Sequence, residues 1–184
     1  FVRYSKPKIK MMGVETAKSS TAMIIRNKLE ECFNIVINKD RYESKDLKKI
    51  VYDFREEVDK VDTVSIASPR GVNDIDKWID DKGNILSGCP IHVRASINYN
   101  NFIDSDPELK SQYERIENGS KIRFVKLKEP NIFHSHVVAF VDDIPPEMEL
   151  EKCIDRKTQF EETFMKPLES FTNLIDWDIR RNSN

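Results

Sequence analysis

Nothing in the chain is long and apolar enough to span a bilayer, because no uninterrupted run approaches the roughly 18 residues that crossing requires. No signal-peptide pattern opens it either. Cysteine is scarce: Cys32, Cys89 and Cys153 are odd in number, far apart and in no C-x-x-C pair. That distribution argues against a disulfide framework and a structural zinc site, and it fits a reducing cytosol. No nucleophile motif, no G-x-x-x-x-G-K-[ST] phosphate loop and no dinucleotide fingerprint occur. There is no internal repeat and no low-complexity tract. Of the three histidines, His134 and His136 form an H-x-H pair, but no carboxylate or cysteine stands at ligand spacing beside them, so no metal site is assigned.

What remains is a chain of 184 residues, 39% hydrophobic and 34% charged, long enough for one well-cored domain with at most a short piece of a second. The net charge of −2 conceals a polarity. Residues 1–10 carry Arg3, Lys6, Lys8 and Lys10 and no acid, whereas 142–151 carry Asp142, Asp143, Glu147, Glu149 and Glu151 and no base. The acids flank Pro145-Pro146 and read as a solvated loop rather than a paired acid/base site.

Alternation in KPKIKMM (6–12) predicts a half-buried strand, with Lys6, Lys8 and Lys10 on one face and Ile9 and Met11 on the other. The chain opens on Phe1 in what already reads as mid-strand, so it is expected to be the C-terminal piece of something larger. Ser19, Ser20 or Thr21 is expected to cap a helix whose buried stripe is Ile25, Leu29, Cys32, Phe33 and Val36. A second helix from about Ser44 places Leu47, Ile50, Val51, Phe54, Val58 and Val61 on one face, making a helical hairpin with the first. VSIAS (64–68) reads as a strand and SPRGVND (68–74) as a turn into a short helix ending at Trp78. Pro90 suits the first position of the helix PIHVRASINYNNFI. Asn118-Gly119 marks a turn into the strand KIRFVKL, with VVAFV (137–141) its partner. A last helix spans about 156–175, with Phe160, Phe164, Leu168, Phe171 and Ile175 aligned and Pro167 dividing it. The fold class is α+β, mainly helical with small β elements.

Three stretches hold candidate chemistry. Alternate residues of a strand lie about 6.6 Å apart on one face, close to the spacing of phosphates along one nucleic-acid strand, so KxKxK makes a rail for a backbone. Gly13 beyond it allows close approach. The other reading is a solvated strand face. Ser68-Pro69-Arg70-Gly71-Val72-Asn73 is a glycine loop that could aim several N–H groups at an anion, with Arg70 adding charge; such turns before helices are also commonplace. His92 and Arg94, near a helix start, suit phosphate contacts, or equally a buried polar contact and an ion pair.

Taken together, the blocks resemble a known family. KPKIKMMGVETAKSST resembles the segment of family B DNA polymerases of T-even-type bacteriophages that ends the palm and enters the thumb. VSIASPRGVND and CPIHVRASINYN resemble that family's thumb loop and its C-P-x-H-[IV]-R-G segment, and TFMKPLESFTN the helix near the thumb's end. The resemblance implies a palm edge over 1–18 and a thumb over 19–184. It implies that the palm aspartates holding two catalytic Mg2+ ions, the K-K-R-Y-type motif, the fingers and the editing exonuclease lie upstream. The chain would then carry no metal or cofactor of its own, bind primer–template DNA, and polymerise nothing alone.

Carried over residue by residue, Lys8 and Lys10 match the basic pair of the K-x-K-x-M-G segment, with Lys10 approaching the minor groove at the primer terminus. Gly13 gives the duplex room, and Lys18, Ser19 and Ser20 lie at the crossing into the thumb. Ser68, Arg70, Gly71, Asn73 and Lys77 would contact the backbone of new duplex, joined by His92 and Arg94. Ala95 departs from the family's usual glycine, which puts the local geometry in question if that position needs positive φ. The chain stops at RRNSN, without the short apolar tail by which the family docks on a sliding clamp. The resemblance implies a fragment or split subunit whose partner is the upstream polymerase half, working in the cytoplasm of an infected bacterial host with no membrane partner. The alternative is a free-standing, sequence-independent nucleic-acid-binding module.

Overall fold

The computed structural model describes residues 20–180. These divide into two compact units, one built from 20–66 and 157–180 and the other from Ala67–Arg156. The expected strand at 6–12 and the palm–thumb boundary at 18–19 fall outside the described residues.

The first unit is helical. Helix α1 (Met23–Ile37) buries Ile25, Leu29, Cys32, Phe33 and Val36, the stripe its 3.6-residue period predicts. Its start differs from expectation: Ala22 stands at the N-cap and no side chain caps the helix. Thr21 and Ala22 are both buried, so packing rather than hydroxyl capping sets where the helix begins. Helix α2 (Ser44–Lys60) opens on a reciprocal pair in which Glu43 and Asp46 each accept the other's backbone N–H. It buries Leu47, Val51, Phe54 and Val58, while Ile50 and Val61 at the margins of the stripe are half-buried. VSIAS is not a strand. Thr63–Ile66 forms the helical turn α3, because Asp62 accepts both the backbone N–H of Ser65 (3.2 Å) and its hydroxyl (2.6 Å).

The terminal helix closes this unit in pieces. Helix α6 (Arg156–Phe160) leads into a π-helical turn (Glu161–Met165), then α7 (Lys166–Thr172) and a 3₁₀ turn (Asn173–Ile175). Pro167 lacks an N–H and crowds the carbonyl four residues back; the widened turn just before it absorbs that clash and keeps the helix continuous. The core here is aromatic. Phe54 lies 4.8 Å from Phe164 and 5.9 Å from Phe160, and Phe33 lies 4.2 Å from Phe171, ring centre to ring centre. Buried Gln159 donates to the Ile66 carbonyl at 2.8 Å, tying α6 to the end of α3.

The second unit is a three-stranded antiparallel sheet in the order β1-β2-β3, with helix α4 (Ile91–Asp104) packed on β3 and β2. The strands are Ser68–Gly71, Lys121–Lys126 and Val137–Phe140. Thus SPRG, read from sequence as a turn, is an edge strand. Pro69 is tolerated there because only one side of an edge strand must supply ladder N–H groups. A 3₁₀ turn (Ile75–Trp78) follows β1, and a short helix α5 (Pro107–Gln112) follows α4. Pro90 occupies the N-cap of α4, one position before the expected place. Ala95 is buried inside α4 with ordinary helical backbone, so no glycine is needed at that position. Gly119 has φ +88°, which the Asn118-Gly119 turn requires.

Two asparagines lock α4 in place. Asn98 donates to the Val137 carbonyl (2.9 Å), and Asn100 both donates to the Ile116 carbonyl (2.9 Å) and accepts its N–H (2.8 Å). Asn100→Leu would orphan both backbone groups of a buried residue and is expected to cost about 2 kcal/mol or more, read as a lower urea midpoint with an unchanged slope. Among the described residues, no helix is long and apolar enough to cross a membrane.

Candidate nucleic-acid interface

Strand β1 is held by its partner in a fixed register: Ser68 opposite Phe124, Pro69 opposite Arg123, Arg70 opposite Ile122, and Gly71 opposite Lys121. The chain beyond it is fastened to the 118–120 turn. Val72 N–H donates to the Ser120 carbonyl (3.0 Å), Gly119 N–H to the Val72 carbonyl (2.8 Å), and Ile75 N–H to the Asn118 side chain (3.0 Å). Lys77 N–H is taken by the Asp74 carbonyl at 3.2 Å. The 68–73 stretch is therefore an edge strand and turn rather than a free glycine loop, with the Val72 amide spent inside the protein.

Of the site residues expected here, Arg70, Gly71, Asn73 and Lys77 are exposed. Ser68, by contrast, is buried, only 5% exposed. Lys77 Nζ lies 5.6 Å from the Trp78 ring centre, a cation–π contact that stiffens the lysine stem.

His92 and Arg94 lie in the first turn of α4, both half-buried. That turn has no side-chain cap and no acidic residue, so the positive end of a 14-residue helix is left uncompensated by its own side chains. Arg70 comes close enough to His92 that its charge, after burial, holds the imidazole below its ordinary value of 6.5. Arg94 in turn acts on the Cys89 thiol, which burial pushes up and the arginine's charge and backbone N–H pull down. The structure thus places Arg70, on the edge strand, within electrostatic reach of His92 in the first turn of α4, 22 residues on in sequence.

Sequence reasoning did not anticipate Lys121 and Arg123. The register sets them directly across β1 from Gly71 and Pro69, with Lys121 exposed and Arg123 half-buried. Nothing local marks them: they read as outward residues of an alternating strand, and only the pairing reveals their neighbours. Ser20 lies in the turn before α1, in the first unit, and is half-buried. Lys8, Lys10, Gly13, Lys18 and Ser19 fall outside the described residues.

His134 and His136 are both exposed. Among the described residues no group of three or more His, Cys, Asp or Glu side chains could hold a metal ion.

No protein-family model matches the chain. It is 30% identical over 188 aligned positions, covering 99% of its length, to the DNA-directed DNA polymerase of Escherichia phage RB69. It is 29% identical over 186 positions, again 99% of its length, to the DNA-directed DNA polymerase of Enterobacteria phage T4. The chain spans 20% of each of these relatives. The relation to the DNA polymerases of T-even-type phages, carried above by four short blocks, therefore runs through essentially the whole sequence.

Proposed function

Starting from that kinship with one stretch of the phage DNA polymerases, we propose that this chain is the thumb, with the adjoining palm edge, of a family B DNA-directed DNA polymerase. It holds the primer–template duplex while metal-dependent nucleotidyl transfer takes place on residues of an upstream part. The observation that carries this reading is that Arg70 lies within electrostatic reach of the cationic, uncapped first turn of α4. Side-chain cations and a helix N-terminus recognise phosphate without reading bases, which is what a surface that must slide over any sequence needs. Asn73 and Lys77 extend the surface along the chain after β1, whereas Lys121 and Arg123, one residue either side of Arg70's partner Ile122, belong to the other face of the sheet. Lys8, Lys10, Gly13, Lys18, Ser19 and Ser20 take the roles that the resemblance gives them, at the primer terminus and at the crossing into the thumb.

Salt dependence tests the phosphate contacts. Arg70→Ala or Lys77→Ala should weaken duplex binding about equally for all sequences and lower the salt slope by about 1 each. A loss confined to particular base sequences would point instead to a site-specific reader. The division of labour is tested by primer extension. The chain alone should extend nothing, and addition of a polypeptide carrying the palm aspartates should restore extension. A free-standing binding module would leave that mixture inactive.

The low pKa of His92 gives a pH test. Depressed proton affinity in the folded state means that the unfolded chain takes up the proton first as pH falls through about 6.5, so this residue lowers stability on the acid side. A phosphate beside it favours the imidazolium and reverses the shift. Duplex binding should therefore raise the His92 pKa and tighten as pH drops from 7.5 to 6, read by NMR titration of the ring proton. An imidazole whose titration is unmoved by duplex would remove His92 from the interface.

A further inference from the structure

The first unit carries a separate cationic cleft of about 490 Å³, formed where α2 meets the terminal helix. Lys48, Tyr52 and Arg55 line it from one face of α2, at the i, i+4, i+7 spacing that aligns side chains along a helix. Lys157, Glu161 and Arg180 line it from the other side. Four of its lining residues are thus cations and one is a carboxylate, with Glu169 a second carboxylate paired to Arg180.

The lining carboxylate is already engaged. Glu161 accepts from both terminal nitrogens of Arg180 (2.8 and 3.2 Å), and Arg55 and Lys157 act on it through space, so its carboxyl is held below its usual range, chiefly by the Arg180 hydrogen bonds. Arg180 also pairs with Glu169. Arg55 is fixed by stacking over the Phe160 ring, 4.9 Å from its centre. The arrangement is a set of pre-positioned cations, with the 63% exposed Tyr52 ring standing between Lys48 and Arg55. Lys48 and Arg55 stand to either side of it along α2, while Glu56 and Asp53 act on its hydroxyl and raise its pKa, Glu56 most strongly.

We infer that this cleft binds a single nucleic-acid strand, with a base stacked on Tyr52 and its flanking phosphates met by Arg55 and Lys157. An aromatic face set among cations is the general recognition chemistry for unpaired strands, because every base has a face to stack and every linkage carries a charge. A duplex keeps its bases stacked on one another and has none to offer a lone ring. An acidic peptide would use the cations but gain little from the tyrosine. The inference rests on reading the chain as one that works on nucleic acid. It uses a different unit from the duplex surface, so the two stand or fall on different residues.

The test is binding of the full chain to a fluorescent oligothymidylate and, separately, to a duplex of the same length. Tyr52→Ala should weaken single-strand binding by about tenfold through lost stacking. Lys157→Ala should weaken it about threefold and reduce the salt slope by about 0.7. Neither should change duplex affinity, which Arg70→Ala should lower without affecting the single strand. Glu161→Gln should tighten single-strand binding about twofold by removing the opposing charge, a gain that partial unfolding cannot mimic. Unchanged single-strand affinity in both Tyr52→Ala and Lys157→Ala, with unaltered melting temperatures, would overturn the inference. So would displacement of the oligonucleotide by polyglutamate as readily as by unlabelled strand at equal charge, since that would assign the cleft to acidic peptides.

Discussion

Phe54→Ala is expected to cost about 3–5 kcal/mol, the range for removing a buried aromatic side chain from a packed core. Phe54 is 1% exposed, and it is where α2 meets the terminal helix, through Phe160 and Phe164. Lys28 adds its charge over the same ring, 5.5 Å from the centre. Deleting the ring leaves a cavity bounded by two other aromatics that are themselves fixed, so little relaxation can refill it. Domains of this size are stable by only about 5–15 kcal/mol, so the variant should lose a large part of the total. Urea unfolding followed by circular dichroism reads the shift directly. A loss below about 1 kcal/mol would mean that this trio of rings is not the centre of the first unit's core.

The second large effect concerns the duplex surface. Replacing Arg70, Lys77 and Arg94 together by alanine removes three phosphate-seeking cations and should cut the salt slope of duplex binding by about 3. Between 50 and 200 mM salt that change in slope alone corresponds to tens-fold in affinity, and at low salt the total loss should reach about a hundredfold or more. All three side chains are exposed or half-buried, so folding should be nearly unaffected. The controls are sequence independence and stability: the loss should be the same for several unrelated duplexes, with an unchanged melting temperature. A loss of less than about threefold would place the duplex elsewhere on the chain and remove the main support for the thumb reading.

The helices of the first unit could be read from the chain because their evidence is local. Leu29, Cys32, Phe33 and Val36 recur at the helical period, and a stripe of that kind has few other stable uses. Pro167 was legible only in part: its missing N–H calls for an irregularity, but the π turn before it takes that up and the helix runs on undivided. The errors came where distant partners decide. Ser68–Gly71 contains proline and glycine, both poor strand formers, and is a strand because 121–124 pairs with it from some 50 residues away. VSIAS contains β-branched residues, yet Asp62 captures Ser65 and turns the backbone before any strand can extend.

The candidate interface was legible in part. Arg70, His92 and Arg94 could be named from their blocks, but the reach of Arg70 to His92 could not, because neither periodicity nor spacing links an edge strand to a helix start. The cleft around Tyr52 escaped notice because its two walls come from α2 and from residues after 156, and each wall alone looks like an ordinary solvated helix face.

The π-helical turn at Glu161–Met165 sets a rule about length rather than identity. It accommodates one residue more than an α turn, and the aromatic and leucine positions around it, 160, 164 and 168, are spaced to suit that surplus. Removing a single residue from the segment would let it relax into regular α geometry while Leu168 and Phe171 keep facing the interior, because the widened turn is what absorbs the surplus. Adding a residue instead would exceed what the turn already takes up and swivel everything downstream by about 100° about the helix axis. A one-residue deletion within 161–165 should therefore be far better tolerated than a one-residue insertion.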